Sequence, residues 1–248
     1  MQKMHRYALI LLIGITFISL AGCSKLFDYI KDHPDEDCTD CKITKLVVTS
    51  PYDTNTAVIA YNAYGDPVSI TPSWIGTGNT QRLFRYDSKH RLTDYIGAYE
   101  LGGYEQWRWY VYDNNNRVIR DTSYSFGSLS DKKSGQYGPF VTTYDYDSKG
   151  RITHTSTLAT WLPYPPQEFF YTYDSYGNLE SPGVTYDDKI NFRRTNKVWM
   201  FIDRNYSVNN SKPVIGYNDH GLPLKVGSGI TGFVGFNGPW MELTYKCK

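Results

Sequence analysis

The sequence lacks an excess of charge of either sign. Its 248 residues include 26 Lys plus Arg and 25 Asp plus Glu, for a formal net charge of +1. This balance excludes both a strongly basic nucleic-acid binder and an acidic disordered tail. After residue 22, no apolar run approaches the roughly 20 residues of a membrane-spanning helix. The chain beyond that point is therefore expected to lie outside the bilayer.

Catalytic motifs are also missing. The chain contains no Gly-x-Ser-x-Gly, no His-Glu-x-x-His and no phosphate-binding glycine loop. Asp187 and Asp188 form the most concentrated carboxylate pair in their segment, but neighbouring strand residues point to opposite faces of a sheet. We therefore predict no catalytic residues, and the sequence favours a protein that is not an enzyme. The histidines after residue 22 are His33, His90, His154 and His220.

Aromatic residues, by contrast, are abundant. They make up 16% of the chain and include 23 Tyr, while hydrophobic residues as a whole make up 40%. This composition is too apolar for a disordered chain and favours β-strands. With 21 Gly and 12 Pro the chain has ample material for turns. One main domain is predicted.

The first residues read as an export signal. Lys3 and Arg6 precede an apolar stretch over 7–20, and Leu20-Ala21-Gly22-Cys23 follows. This ending resembles the lipobox of bacterial lipoproteins, which implies a signal peptide over 1–22 and a lipid on Cys23. Two or three acyl chains give firm anchoring, since each buried methylene contributes roughly 0.8 kcal/mol. The expected location is the bacterial outer membrane, with the leaflet left open.

The next segment is acidic. Six carboxylates fall between Ser24 and Asp40, a pattern typical of a solvated tether. We assign residues 23–45 to a lipidated acidic tether, with one short helix over Lys25 to Lys31, and residues 46–248 to the folded domain.

Three cysteines remain after Cys23. In an oxidising envelope we expect Cys247 to form a disulfide with Cys38 or Cys41. A redox pair formed by Cys38 and Cys41 is disfavoured, because no βαβ pattern surrounds it. His33 with two cysteines is too small a ligand set for zinc. No metal and no cofactor are predicted.

The strongest internal signal is a repeat, in which a Tyr is followed by Asp or Asn. An apolar or aromatic residue stands two places before that Tyr, as expected for one face of a strand. The side chain after the Tyr can accept backbone N–H groups, and a residue that tolerates positive φ follows three places later. The six units cover 59–65, 84–90, 110–116, 144–150, 171–177 and 215–221. They predict an all-β fold: an antiparallel meander of about six repeated hairpins, twisted or partly rolled.

Tyr146 to Ile152 resembles the Tyr-Asp (RHS/YD-like) repeat of rearrangement-hotspot toxins and teneurins. The whole pattern is similar to that of uncharacterised Bacteroidetes lipoproteins with irregular Tyr-Asp hairpins. In that family a segment like 186–191 is followed by a hydrophobic stretch, here Val198 to Ile202, and an Asn-rich one, here Asn205 to Asn210. This resemblance implies the fold and the lipid anchor and brings no established activity.

For ligand binding, the candidate stacking residues are Trp161, Tyr164, Trp107 and Trp109, because flat aromatic rings stack on the apolar faces of sugars. Core packing is the alternative for each of them. Trp161 and Tyr164 lie in the proline-rich connection from Ala159 to Gln167, which, like the connection from Thr122 to Gly138, is a place where any variable binding function is expected.

The sequence thus predicts a lipid-anchored envelope protein that works as a non-catalytic binding or interaction module. Its expected partners are the membrane and a glycan or protein ligand, with no nucleic acid. Two alternatives stay open: an envelope hydrolase acting on glycans or peptides, and a purely structural repeat scaffold.

Overall fold

The fold is an open antiparallel sheet of thirteen strands, as a computed structural model of the protein describes it over residues 29–33, 39–49, 54–227 and 232–248. Strands β1 to β10 follow one another across the sheet, and the chain end adds β15, β14 and β13 beside β1. A separate pair is formed by β11 and β12. No helix in these ranges is long and apolar enough to span a membrane.

The strands are β1 Cys41–Thr49, β2 Thr54–Tyr61, β3 Pro67–Pro72, β4 Gln81–Tyr86, β5 Leu92–Ala98, β6 Gly103–Tyr112, β7 Val118–Ser128, β8 Tyr137–Tyr146, β9 Ile152–Ala159, β10 Gln167–Phe170, β11 Tyr186–Ile190, β12 Asn209–Ser211, β13 Val214–Tyr217, β14 Pro223–Gly227 and β15 Trp240–Cys247. A 3-10 helix, Phe192–Thr195, precedes the α-helix α1, Lys197–Asp203.

The prediction of an all-β antiparallel meander is confirmed. The hairpins β2–β3, β4–β5, β6–β7, β8–β9 and β13–β14 correspond to five of the six repeat units. The unit at 171–177 forms its turn too, but only an isolated bridge between Tyr173 and Leu179 closes it. The sheet is larger than the repeat predicts because strands outside the units, such as β1 and β15, also pair.

Every repeat turn is built in the same way. In the third hairpin, Oδ1 of Asp113 accepts the backbone N–H groups of Asn115 and Arg117 at 2.8 and 2.9 Å. Asn116 then takes a φ of 60°, in the left-handed region. The same pair of side-chain contacts recurs from Asn62, Asp87, Asp147, Asp174 and Asn218. Positive φ recurs at Gly65, His90, Gly150, Gly177 and Gly221. The predicted turn chemistry is confirmed.

The repeated tyrosines join one hairpin to the one before it. The hydroxyl of Tyr112 donates to the carbonyl of Leu92, and that of Tyr146 donates to the carbonyl of Val118, both at 2.8 Å. Equivalent bonds run from Tyr61, Tyr86 and Tyr173 to Ile43, Pro67 and Ile152. In five of the six units the key tyrosine is therefore a staple to the preceding hairpin or strand, whereas Tyr217 of the last unit donates to Oδ2 of Asp187.

Tyr112→Phe tests this staple. The substitution keeps the ring and removes the hydroxyl, so the Leu92 carbonyl loses a partner, and the free energy of unfolding should fall by about 1 to 2 kcal/mol. Urea unfolding followed by tyrosine and tryptophan fluorescence measures it. Tyr164→Phe, at a tyrosine that is 69% exposed, is the matched control and should change stability by less than about 0.5 kcal/mol. Equal effects of the two substitutions would refute the staple.

The main core forms where the segment after β11 packs onto the sheet. Trp199 of α1 is fully buried, and its ring lies edge-on to Phe84 of β4 and near Phe233, at centroid distances of 5.6 and 5.2 Å. Asn196 caps α1 by accepting the N–H of Val198. The sequence indicated no helix here, because a seven-residue helix has little periodicity of its own.

A charged group is buried inside this sheet. Asp121 of β7 has no exposed surface, and its Oδ1 lies 3.4 Å from Nε of Arg108 on β6. The hydroxyl of Tyr144 on β8 donates to Oδ2 of Asp121. Three adjacent strands are therefore linked through one carboxylate.

The N-terminal part differs from the predicted tether. Ile30 lies in a helical stretch over 29–32 and is fully buried, while Nη2 of Arg194 donates to the carbonyls of Ile30 and His33 at 3.4 and 3.2 Å. Lys149 donates to the carbonyl of Lys31 at 2.9 Å. Because β1 begins at Cys41, the sheet also includes five residues assigned to the tether. A solvated tether over 23–45 is thus wrong for 29–33 and 41–45, since apolar burial and strand pairing hold them to the domain. Residues 23–28 and 34–38 lie outside the described residues.

Candidate functional site

A cleft of about 620 Å³ opens where three repeat turns meet helix α1. The turns belong to the hairpins β4–β5, β6–β7 and β8–β9, which are neighbours in the sheet. The volume lies within the range of pockets that hold small ligands. The lining residues that the turns and α1 contribute include Lys89, His90, Arg91, Asn115, Asn116, Arg117, Gly150, Lys197, Val198 and Phe201, and the key tyrosines Tyr86, Tyr112 and Tyr146 form part of the wall.

The turn geometry fixes the two arginines of the cleft. Asp87 accepts from Nε of Arg91 at 2.8 Å, and Asp113 accepts from Nε of Arg117 at 3.1 Å. Each guanidinium then covers the key tyrosine of the next hairpin. Arg91 lies 4.7 Å from the ring centroid of Tyr112 and Arg117 lies 5.5 Å from that of Tyr146. Aspartate, arginine and the next tyrosine therefore form one unit, repeated from hairpin to hairpin.

Positive charge dominates the lining. No aspartate or glutamate lines the cleft, whereas Lys89, Arg91, Arg117 and Lys197 do. The arginines are paired with Asp87 and Asp113. Lys89 and Lys197 are exposed and form no ion pair with the described carboxylates. The cleft thus carries two uncompensated positive charges.

The tyrosines of the cleft remain protonated phenols. Burial raises the pKa of Tyr86, Tyr112 and Tyr146 above the usual value of 10. Their hydroxyls already donate to backbone carbonyls. These groups shape the wall of a binding site and offer no general base at neutral pH.

The four predicted stacking residues lie elsewhere. Trp107 is 4% exposed, its Nε1 donates to Asp94 at 2.7 Å, and the guanidinium of Arg85 lies 4.8 Å from its ring centroid. The prediction that Trp107 stacks on a ligand is therefore wrong, because its ring is packed into a second, smaller core. Period-two spacing placed it correctly on a face with Trp109 but could not show that this face is covered.

Trp109 is half-buried and stacks on Tyr124, with Nζ of Lys132 at 4.7 Å from its ring centroid. Trp161 and Tyr164 are exposed, at 40% and 69%, and Trp161 meets the ring of Phe140 edge-on at 4.5 Å. None of the four lines the turn cleft. A stacking role for Trp161 and Tyr164 stays a prediction.

The sequence did not reveal the cleft because its residues come from turns about 25 to 60 positions apart and from an unforeseen helix. The signal that was available in the sequence is the repeated pattern of turn residues. Once the hairpins align, Lys89 and Asn115 share one turn position and Arg91 and Arg117 share another. Equivalent turn positions of adjacent hairpins lie side by side at the same end of the strands.

The cysteine prediction left two partners open for Cys247, and the structure joins Cys247 to Cys41, directly across β1 and β15. His220 lies beside this disulfide, its ligand atom within 4.8 Å of the two sulfurs. Cys38, and Cys23 with its predicted lipid, lie outside the described residues.

His154 is held between two carboxylates at the β10 edge of the sheet. Its Nδ1 lies 2.7 Å from Oδ2 of Asp145, and its Nε2 lies 2.6 Å from Oε2 of Glu168. The hydrogen bond to Asp145, followed by that to Glu168, raises the pKa of His154 above its ordinary value of 6.5. The stabilisation from these contacts is therefore full below about pH 6.5 and is lost as the pH rises through the folded-state pKa.

An NMR titration of the His154 ring should accordingly give a midpoint above 6.5 in the native protein. In the double variant Asp145→Asn/Glu168→Gln the midpoint should move down, since both acceptors lose their charge. A native midpoint at or below 6.5, or one that the double variant leaves unchanged, would contradict the contact geometry.

No protein-family model matches the chain, and no curated protein matches it either. Solved structures to which it is similar include that of TcdB2-TccC3-TEV, with 16% identity and a TM-score of 0.27 over 69% of this chain. Another is that of TcdB2-TccC3 without its hypervariable C-terminal region, with 13% identity and a TM-score of 0.28 over 75% of this chain. The protein spans 8% and 12% of the length of those two chains.

Proposed function

We propose that this protein is a non-catalytic binding module, held at the bacterial cell envelope by a lipid on Cys23, whose ligand site is the turn cleft. The observation that carries the proposal is the cleft itself, a concave site of about 620 Å³ lined by polar side chains and by half-buried aromatic rings. Such a combination of shape and chemistry is typical of sites for small ligands or for segments of polymers. The ligand is a glycan or a peptide segment.

The hydrogen bonds that hold the turns of the cleft in place support a binding role. Asx contacts hold each turn, and Nη1 of Arg91 donates to Oδ1 of Asn116 at 3.2 Å, which links two adjacent turns. A preorganised site loses little conformational entropy when a ligand binds.

The structural-scaffold alternative has an observation in its favour. The tyrosine hydroxyls account for the repeated Tyr by joining hairpins, without any ligand. The two functions differ in one respect: a scaffold needs no cleft, so filling the cleft would leave its role intact.

Asn115→Trp fills the cleft from an exposed turn position, and Asn114→Trp places the same ring one residue outside the lining. The native full chain, purified in detergent, is screened on glycan and peptide arrays, and hits are titrated. We expect at least one hit whose affinity falls tenfold or more in Asn115→Trp and less than twofold in Asn114→Trp. An absence of hits, or equal effects of both variants, would refute the site. Saturable hydrolysis of a hit, lost on a single carboxylate substitution, would favour the hydrolase.

A further inference from the structure

The charge of the turn cleft indicates the chemistry of its ligand, and this step rests on the proposed function. Four cationic side chains line the cleft, and no carboxylate does. Asp87 and Asp113 form ion pairs with the two arginines. The positive charges of Lys89 and Lys197 are therefore the ones that remain without a partner among the described carboxylates. These lysines come from different parts of the chain, the first repeat turn of the cleft and the start of α1. A ligand with negative charge is therefore favoured over a neutral one.

Spare hydrogen-bond donors accompany this charge. Arg117 uses Nε and Nη2 on Asp113, and a guanidinium has five donors in all. Asn115 adds an exposed amide at the same turn. Guanidinium groups bind carboxylate and sulfate oxygens, while amides bind hydroxyl groups. The wall thus suits a molecule that carries both acidic groups and many hydroxyls.

The repeat also arranges the turns that line the cleft in a row. Equivalent turns of neighbouring hairpins are two strands apart. They therefore lie roughly 10 Å from one another in a row across the ends of the strands. Three such turns contribute to the cleft. An extended polymer lying along this row could meet equivalent side chains at each turn, at a spacing close to the length of a disaccharide.

Nucleic acid fits the wall less well. Single-stranded nucleic acids bind largely by stacking bases on exposed aromatic rings. In the cleft, guanidinium groups already cover Tyr112 and Tyr146. One face of each of these two rings is therefore already occupied and is not open to a base.

We infer that the turn cleft binds an acidic glycan, with the carboxylate or sulfate groups of the polymer meeting the side chains of Lys89, Arg117 and Lys197. The two acidic groups share one chemistry, and the experiment separates them. The inference concerns the class of ligand and adds to the binding role proposed above.

Two matched pairs of polymers test the inference. Polygalacturonate carries ionised carboxylates where its methyl ester carries neutral ester groups, and dextran sulfate and dextran differ in the sulfates. The native full chain in detergent should bind polygalacturonate or dextran sulfate at least tenfold more tightly than the uncharged partner. Binding should weaken as salt is added, because exposed charges are screened.

The variants make the test specific to the cleft. Lys89→Gln/Lys197→Gln should lower the affinity for the acidic polymer at least tenfold. The control Lys45→Gln/Lys133→Gln removes two exposed lysines outside the lining and should change the affinity less than twofold. Circular dichroism checks that both variants fold. Binding of neither acidic polymer, equal binding of a charged polymer and its neutral partner, or equal losses in the two variants would overturn the inference.

These outcomes are distinct from a failure of the proposed function. If neutral glycans bind and Asn115→Trp abolishes their binding, the cleft remains the ligand site and only the acidic class is wrong. If Asn115→Trp leaves all binding unchanged, the site itself is wrong.

Discussion

Replacing Asp121 by alanine is expected to lower the free energy of unfolding by about 3 to 5 kcal/mol. Asp121 is fully buried between the guanidinium of Arg108 and the hydroxyl of Tyr144. Burial raises the pKa of its carboxyl, whereas Arg108 and then the Tyr144 hydroxyl stabilise the charged form. Removal of the carboxylate leaves a largely buried cation without its partner and a buried hydroxyl without its acceptor. Urea unfolding of the native protein and the variant gives the difference.

Two further variants show whether the loss comes from the unpaired charge. Glu100→Ala removes an exposed carboxylate and should change stability by less than about 0.5 kcal/mol. Arg108→Met/Asp121→Leu removes both charges and should recover much of the loss, because apolar side chains of similar size can replace a buried ion pair. A double variant as unstable as Asp121→Ala would show that packing, and not the uncompensated charge, determines the effect.

Loss of the Cys41–Cys247 disulfide is the second large effect. The bond spans 206 positions of sequence and ties the last strand to the first. Loop-closure entropy assigns about 5 kcal/mol to a crosslink of roughly this length. The variant Cys41→Ser/Cys247→Ser should therefore unfold at a much lower urea concentration than the native protein, or fail to fold at 37 °C.

Cys38→Ser is the matched control, and it should leave the unfolding midpoint in place. Non-reducing mass spectrometry of the native protein should find the peptides of Cys41 and Cys247 linked and that of Cys38 open to alkylation. Finding Cys247 linked to Cys38, or free, would refute the pairing even if the double variant does not fold.

The turns of this fold could be predicted from the sequence because their determinants are local. An Asp or Asn that accepts two N–H groups, with Gly, Asn or His at positive φ three places later, needs no distant contact. His90 and Asn116 follow the rule as well as the glycines do. Five of the six predicted hairpins form where the same signal places them.

The features that the sequence did not reveal depend on distant contacts. The burial of Trp107 depends on which face of the sheet is covered, and on that face Trp107 packs with Tyr104 and Ile96. Helix α1 is stabilised by the contact of Trp199 with Phe84 and Phe233. The hydroxyl of Tyr112 reaches a carbonyl 20 positions away. Tertiary packing decides such features, and it leaves no periodic trace in a single sequence.

If Cys23 carries the proposed lipid, the docked residues 29–33 limit how far the domain can lie from the bilayer. Tyr29 lies only six residues after Cys23, the position of the predicted lipid, and a segment of that length spans roughly 20 Å when fully extended. The docked residues lie beside Lys149, whose neighbour Gly150 lines the turn cleft. With that lipid, the end of the sheet that carries Lys149 and Gly150 would be kept close to the membrane surface, because the connecting segment is short.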